Sequence, residues 1–175
     1  MALNAFLYTL VYVNLVIGGG APSAFKPFLA IPAEVYYRYN LWFLAPSMFG
    51  GWILAAGFAH LLSKPFGGKG AFEDTLSTLG FATLAATLAS VVHDLPETFL
   101  GAIGFMDQAW YEAQMSSATP AAVVLWIFYG LYALLFLLLY PKAVATAQSL
   151  KPAPAILIGL LAFVVYQGVF LIFNR

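Results

Sequence analysis

Five apolar runs separated by short polar segments organise this chain, and their lengths predict helices rather than strands. The first run, Ala2 to about Ile17, carries no charge and stops at Gly18, Gly19 and Gly20, which with Pro22 break a helix. It is short for a membrane crossing and implies tilt or local thinning of the bilayer. The second, about Leu41 to Leu62, is long enough at about 1.5 Å per residue to cross an apolar core about 30 Å thick. Pro46, Gly50 and Gly51 in it predict a bend or a close helix neighbour. The third runs from about Phe72 to Val92, the fourth from about Pro120 to Tyr140 between Pro120 and Pro141, and the fifth from about Ala155 to Phe173.

The segments between these runs differ in character. Ala21 to Asn40 mixes Pro22, Pro27 and Pro32 with Lys26, Glu34 and Arg38, and leads through Tyr36, Tyr37 and Tyr39 to Trp42, the aromatic belt of a membrane interface. Within the third run, Thr78, Ala82, Ala86 and Ser90 recur every four residues and share one face, where small side chains allow tight helix packing. That helix is expected at the centre of a bundle. His93 to Thr119 holds His93, Asp94, Glu97, Asp107 and Glu112 and no Lys or Arg. Phe99, Ile103, Met106 and Trp110 keep helical spacing there, which predicts an interfacial amphipathic helix. The expected fold is an all-α integral membrane protein: one transmembrane domain over 1–175, a five-helix bundle with an interfacial amphipathic segment between the third and fourth spans.

Composition strengthens this reading. Of 175 residues 63% are hydrophobic and 8% charged, with a mean hydropathy of +0.90, whereas a soluble domain carries about 25% charge. Seven acids balance seven Lys and Arg, so no net field recruits nucleic acid. Without cysteine there is no disulfide, thiolate nucleophile or Cys-bound metal. The N-terminus lacks the positive region of a cleavable signal and reads as a retained membrane segment. Five spans put the termini on opposite sides. Lys64, Lys69, Lys142 and Lys151 then share one side with the N-terminus, and Lys26, Arg38 and Arg175 lie on the other, which puts the N-terminus in the cytoplasm.

Gly67, Gly68, Lys69 and Gly70 invite comparison with a phosphate loop. A nucleotide loop needs G-x-x-x-x-G-K-[ST], but Lys69 is followed by Gly70, and Ser63 stands five residues before Gly68. The dinucleotide pattern G-x-G-x-x-G fails at Glu73, and no strand precedes the loop. A helical hairpin accounts for all of it: Pro65 ends the second span, the glycines reverse the chain, and Glu73 and Asp74 fall in the first turn of the next helix, where its dipole favours negative charge. The stretch HLLSKPFGGKGAFEDTLSTLGFA, His60 to Ala82, resembles the signature of the Yip-domain family of small multi-span membrane proteins. The resemblance implies five spans and a cytoplasmic N-terminus. Eukaryotic members are linked to Rab-type GTPases and to traffic between endoplasmic reticulum and Golgi, and usually carry a long polar cytosolic N-terminal region. This chain starts almost directly in the membrane, so it is more similar to the compact prokaryotic members, and a GTPase partner is not carried over.

His93, Asp94 and Glu97 form the densest polar cluster beside a span. If the helix continues past Val92, His93 and Glu97 lie at i and i+4 on one face, a spacing suited to a divalent cation or a proton relay. Pro96 and the lack of a third ligand in that pattern argue against a metal site, and H-E-x-x-H is absent. His60 reads as a hydrogen-bonded histidine near a span end, and Asn14, Thr87 and Gln167 as bonds between helices. Ser63, Ser77 and Ser90 lack a nucleophile motif. Trp110 and Tyr111, like Tyr36, Tyr37, Tyr39 and Trp42, read as interfacial aromatics rather than a ligand cage. The chain is therefore expected to act without catalysis or cofactor, as a scaffold in membrane organisation or trafficking. Its partners would be lipids and other membrane proteins or copies of itself, met through the small-residue face of the third span. The alternative is a transporter or channel for a small ion or lipid, with His93, Asp94 and Glu97 as its outer mouth.

Overall fold

The computed structural model describes residues 1–22 and 27–174, and among these there is helix and no strand. The helices are α1 (Ala2–Ile17), α2 (Tyr36–Ser63), α3 (Phe72–Ala102), α4 (Gln108–Met115), α5 (Pro120–Gln148) and α6 (Pro152–Asn174), with single 3-10 turns at Ala33–Val35 and Lys64–Phe66. Four of them, α2 with its flanking turns, α3, α5 and α6, are long and apolar enough to cross a membrane; α1 is apolar but shorter. Around the molecule α1 packs on α3, α3 on α5, α5 on α6, α6 on α2 and α2 back on α1, while α3 also touches α2. Helix ends gather in two groups. The GGKG end holds Ser63, Phe72, Gln148 and Pro152; the acidic end holds Ile17, Tyr36, Ala102, Pro120 and Asn174, and α1 starts level with the middle of α3, where Asn4 meets Thr87.

α3 carries a polar face through the interior, and each polar group on it meets a partner. Gln148 Nε2 donates to Thr75 Oγ1 at 2.7 Å, Tyr140 and Thr83 share a hydrogen bond of 2.8 Å, Thr87 Oγ1 donates to Asn4 Oδ1 at 2.6 Å, and Tyr8 and Ser90 share one of 2.7 Å. Near the acidic end Asn14 Nδ2 donates to Thr98 Oγ1 at 3.4 Å. The expected small-residue face lies among these contacts: Ala82, Ala86 and Ser90 are buried, and Thr78 is half-buried and bonded to its own helix at the Asp74 and Thr75 carbonyls. That face is filled by this chain's own helices.

Two prolines do less than the sequence suggests. α3 passes Pro96 and ends at Ala102 instead of near Val92, and α5 passes Pro141 and ends at Gln148. A proline inside a helix removes one backbone bond and crowds the preceding turn; burial of Asp94, Thr98 and Gly101 on one helix, and of Ala143, Val144 and Ala147 on the other, holds both through it. Pro141 lies directly against Gly159 of α6, where any side chain would collide with its backbone. The amphipathic segment expected as one interfacial helix is not one helix. Its first part is the end of α3; the chain then turns at Gly104, whose φ is +72°, and restarts as α4, with Asp107 Oδ1 accepting from the Trp110 amide at 3.0 Å. Phe99, Ile103 and Trp110 are exposed. Of the aromatics expected at an interface, Tyr39 and Trp42 are exposed, but Tyr36 is fully buried.

The GGKG segment is a hairpin, as expected, and also a contact. Gly67 has φ +83°, the Gly68 amide donates to the Ser63 carbonyl at 2.9 Å, and the Lys69 amide donates to the Gln148 carbonyl at 3.1 Å. Gln148 Nε2 reaches the Gly70 carbonyl at 3.3 Å and lies 3.1 Å from His60 Nδ1. A Cβ on Gly70 would run into the carbonyl of Ala147. The glycines are small because the end of α5 lies on them. Asp74 Oδ2 accepts from the Ala71 amide at 3.1 Å and caps α3. Gly70→Ala is expected to destabilise the protein by about 1–3 kcal/mol as an overpacking change, seen as a lower thermal midpoint by circular dichroism in detergent. Gly57→Ala is the control, since nothing lies within 4 Å of its Cβ position; equal midpoints for the two variants would refute the packing argument.

Candidate functional site

The continuation of α3 past Val92 puts His93 and Glu97 on one helix, one turn apart, and brings Asp94 in beside them. His93 Nδ1 lies 2.9 Å from Asp94 Oδ1, and a potential ligand atom from each of His93, Asp94 and Glu97 lies within 4.8 Å of the others. Asp94 thus supplies the third donor that the i, i+4 pattern lacks. The His93 ring packs on Phe128, its Nε2 lies 3.4 Å from the Tyr111 hydroxyl, and Tyr129 donates to Asp94 Oδ2 at 3.2 Å.

The fold-back of α4 adds a second layer. Gln108, 3% exposed, sits between two carboxylates, its Nε2 3.3 Å from Glu97 Oε1 and 3.4 Å from Glu112 Oε1. Its Oε1 lies against Gly101 and has no hydrogen-bond partner among the described residues. Glu112 receives the Ala21 amide on both oxygens at 3.0 Å. Burial pushes the Glu112 carboxyl above its ordinary range, while the Ala21 and Gln108 donors pull it down. Tyr111 is raised by burial and then by the neighbouring charges of Glu97 and Asp94, which keeps its hydroxyl protonated.

These groups close one end of a cavity of about 780 Å³, within the range of about 300–1,000 Å³ common for small-molecule sites. Its walls are Tyr8, Val11, Tyr12 and Leu15 of α1, Phe28 before α2 and Tyr37 on it, Asp94, Glu97 and Thr98 of α3, Gln108, Tyr111, Glu112 and Met115 of α4, Leu125, Trp126, Tyr129 and Tyr132 of α5, and Phe163, Val164, Gln167, Gly168, Phe170, Leu171 and Asn174 of α6. Toward the GGKG end it stops at a packed cluster containing Ala55, Leu79, Ala86, Phe136, Tyr140 and Tyr166. Gln167 Nε2 donates to the Tyr132 hydroxyl at 2.6 Å and ties α5 to α6 beside it. Trp126 and Val164 line the cavity yet are 62% and 61% exposed, so it reaches the surface between α5 and α6. Among the described lining residues there are three carboxylates and no Lys or Arg. Arg38 lines a separate pocket of about 40 Å³ with Glu34.

The structure therefore gathers His93, Asp94 and Glu97 as the sequence suggests and leaves the other singled-out groups elsewhere: His60 and Gly67 to Gly70 at the GGKG end, the Thr78, Ala82, Ala86 and Ser90 face inside the packing. Lys26 and Arg175, counted in the charge balance across the spans, lie outside the described residues. Gln108, Tyr111 and Tyr129 were not singled out as site residues. The run of acids without cations from His93 to Thr119 was the signal for α4; Tyr129, inside an apolar run, left none. No protein family, curated protein or solved structure matches the chain, so the likeness of His60 to Ala82 to the Yip-domain signature gains no support from such comparison.

A carboxyl raised above its ordinary range holds its proton more tightly in the folded than in the unfolded chain, so stability falls as pH rises from the ordinary carboxylate range through the raised value. The thermal midpoint in detergent is expected to drop across that interval, and Glu112→Gln, which keeps an oxygen for the Ala21 amide, to flatten the drop. An unchanged slope in the variant would assign the effect to another group.

Proposed function

We propose that the chain is a non-catalytic integral membrane protein that takes a lipid or similar small amphiphile into the cavity between α1, α3, α5 and α6. The observation that carries this reading is the cavity itself: mostly apolar and aromatic walls, a charged end, and an opening between two long apolar helices where acyl chains would lie. In this reading α1 lies in the half of the bundle toward the acidic end, beside α3 from Thr87 to Thr98. Exposed Lys64, Lys69, Lys142 and Lys151 support a cytoplasmic GGKG end. The acidic cluster then faces the other leaflet. We read the His60 to Ala82 resemblance as kinship with compact Yip-domain proteins, on those residues alone.

Two features favour amphiphile binding over the other readings. A scaffold working through the small-residue face of α3 would need that face free, and it packs on α1, α2 and α5. An ion channel would need a polar path to the GGKG end, where the packed cluster closes the interior. Protein extracted from its own membrane into a mild non-ionic detergent is expected to carry a lipid-sized adduct in native mass spectrometry. Gly168→Phe, which puts a ring into open space in the cavity without touching a neighbour at its Cβ, is expected to lose most of it, by about tenfold or more. A wild-type protein without adduct, or equal adducts on both, would overturn the reading.

A further inference from the structure

We propose that His93, Asp94 and Glu97 form a binding site for a divalent transition-metal ion of the zinc class, set in the wall of the cavity. The sequence raises two objections to such a site, Pro96 and the lack of a third ligand, and the fold answers both. α3 continues as helix through Pro96 to Ala102, and Asp94 comes in beside the i, i+4 pair. One potential ligand atom from each of the three side chains lies within 4.8 Å of the others. Around a tetrahedral zinc with bonds of about 2.1 Å, ligand atoms stand about 3.4 Å apart, a closure within reach of side-chain rotation. All three donors come from one helix, so no helix has to move against another. The His93 and Asp94 side chains are 9% and 12% exposed, and few waters compete there with the protein's ligands.

The layer around the cluster separates it from a charged helix end. In metal sites the ligating groups are held by outer partners that fix the tautomer of a histidine and orient a carboxylate. Here each of the three has such a partner from another helix. His93 Nδ1 faces Asp94 Oδ1 at 2.9 Å, which leaves Nε2 toward the Tyr111 hydroxyl of α4 at 3.4 Å. Tyr129 of α5 donates to Asp94 Oδ2 at 3.2 Å, the oxygen that the imidazole does not use. Gln108 Nε2 of α4 donates to Glu97 Oε1 at 3.3 Å. With Nδ1 as ligand, the metal takes the place of the proton between His93 and Asp94, and binding releases that proton to solvent. One imidazole nitrogen and two carboxylate oxygens suit zinc or manganese, whereas calcium asks for six to eight oxygens and magnesium for a largely hydrated octahedron. Asp94 and Glu97 both line the cavity, so the position that three protein ligands leave open adjoins it, where a water or an oxygen of a bound molecule completes the set.

The test uses the full chain without a histidine tag, purified in non-ionic detergent and stripped of metal by a chelator. Calorimetric titration with zinc, manganese, magnesium and calcium ions alone is expected to show one zinc per chain, bound about a hundredfold or more tighter than magnesium or calcium. Glu97→Gln and His93→Gln keep approximate size, and each is expected to weaken zinc by about a hundredfold or more. Tyr129→Phe leaves all three ligands and removes the hydroxyl on Asp94; it is expected to weaken zinc by about tenfold, and it decides alone if the ligand variants fail to fold. His60→Gln, at the other histidine of the chain, is the control expected to keep zinc. Zinc bound no more tightly than magnesium would overturn the site, as would tight zinc that His60→Gln removes and the other variants keep. Gly168→Phe changes none of the three ligands or their partners and is expected to lose the lipid-sized adduct while zinc stays bound, so failure of the metal site and failure of the amphiphile reading are told apart.

Discussion

The structure depends on one constraint: polar groups on α3 lie in an apolar interior and must each find a partner there. An unmet buried hydroxyl or amide costs on the order of 1–3 kcal/mol, and in this chain the partners come from two sides. Asn4 and Tyr8 of α1 meet Thr87 and Ser90, and Tyr140 and Gln148 of α5 meet Thr83 and Thr75. Each bond is modest, since such pairs in membrane proteins average about 0.6 kcal/mol. Their joint effect is geometric. Several pairs spaced along α3 leave one rotation of that helix acceptable and bring α1 alongside it.

Toward the GGKG end the alanines Ala55, Ala56, Ala59, Ala82 and Ala86 pack with the rings of Phe136, Tyr140 and Tyr166, and Gly159 lies against Pro141 and Gly51 against Tyr166. Toward the acidic end the wall positions are Tyr12, Tyr129, Tyr132, Trp126 and Phe163. Large side chains hold the helices apart, and Gly130 and Gly168 have no neighbour within 4 Å of a Cβ position.

Much of this order is legible in the sequence, and the limits have physical causes. The five apolar runs place the cores of α1, α2, α3, α5 and α6, because burial on that scale needs long uninterrupted hydrophobic stretches. Pro96 and Pro141 mislead about helix ends, since the local cost of proline is offset by packing that lies far away in sequence. The i, i+4 pair His93 and Glu97 is readable once the helix is known to continue. The cavity is not readable. It arises from Tyr129 on α5, Gly168 on α6 and Tyr12 on α1, which have no sequence relation and come together through packing between helices, including Tyr12 on the Asn174 carbonyl and Gln167 on Tyr132. Gln108 is hidden for the same reason, because the turn at Gly104 decides whether it faces solvent or Glu97.

The acidic end also constrains how the site can be used. Asp94 is fixed on one side by His93 and on the other by Tyr129, and Glu112 is anchored to the backbone at Ala21. Among the described residues, Glu97 is held through Gln108, which it shares with Glu112. α4 is joined to α3 through the Gln108 side chain, the Tyr111 hydroxyl beside His93 and the turn at Gly104.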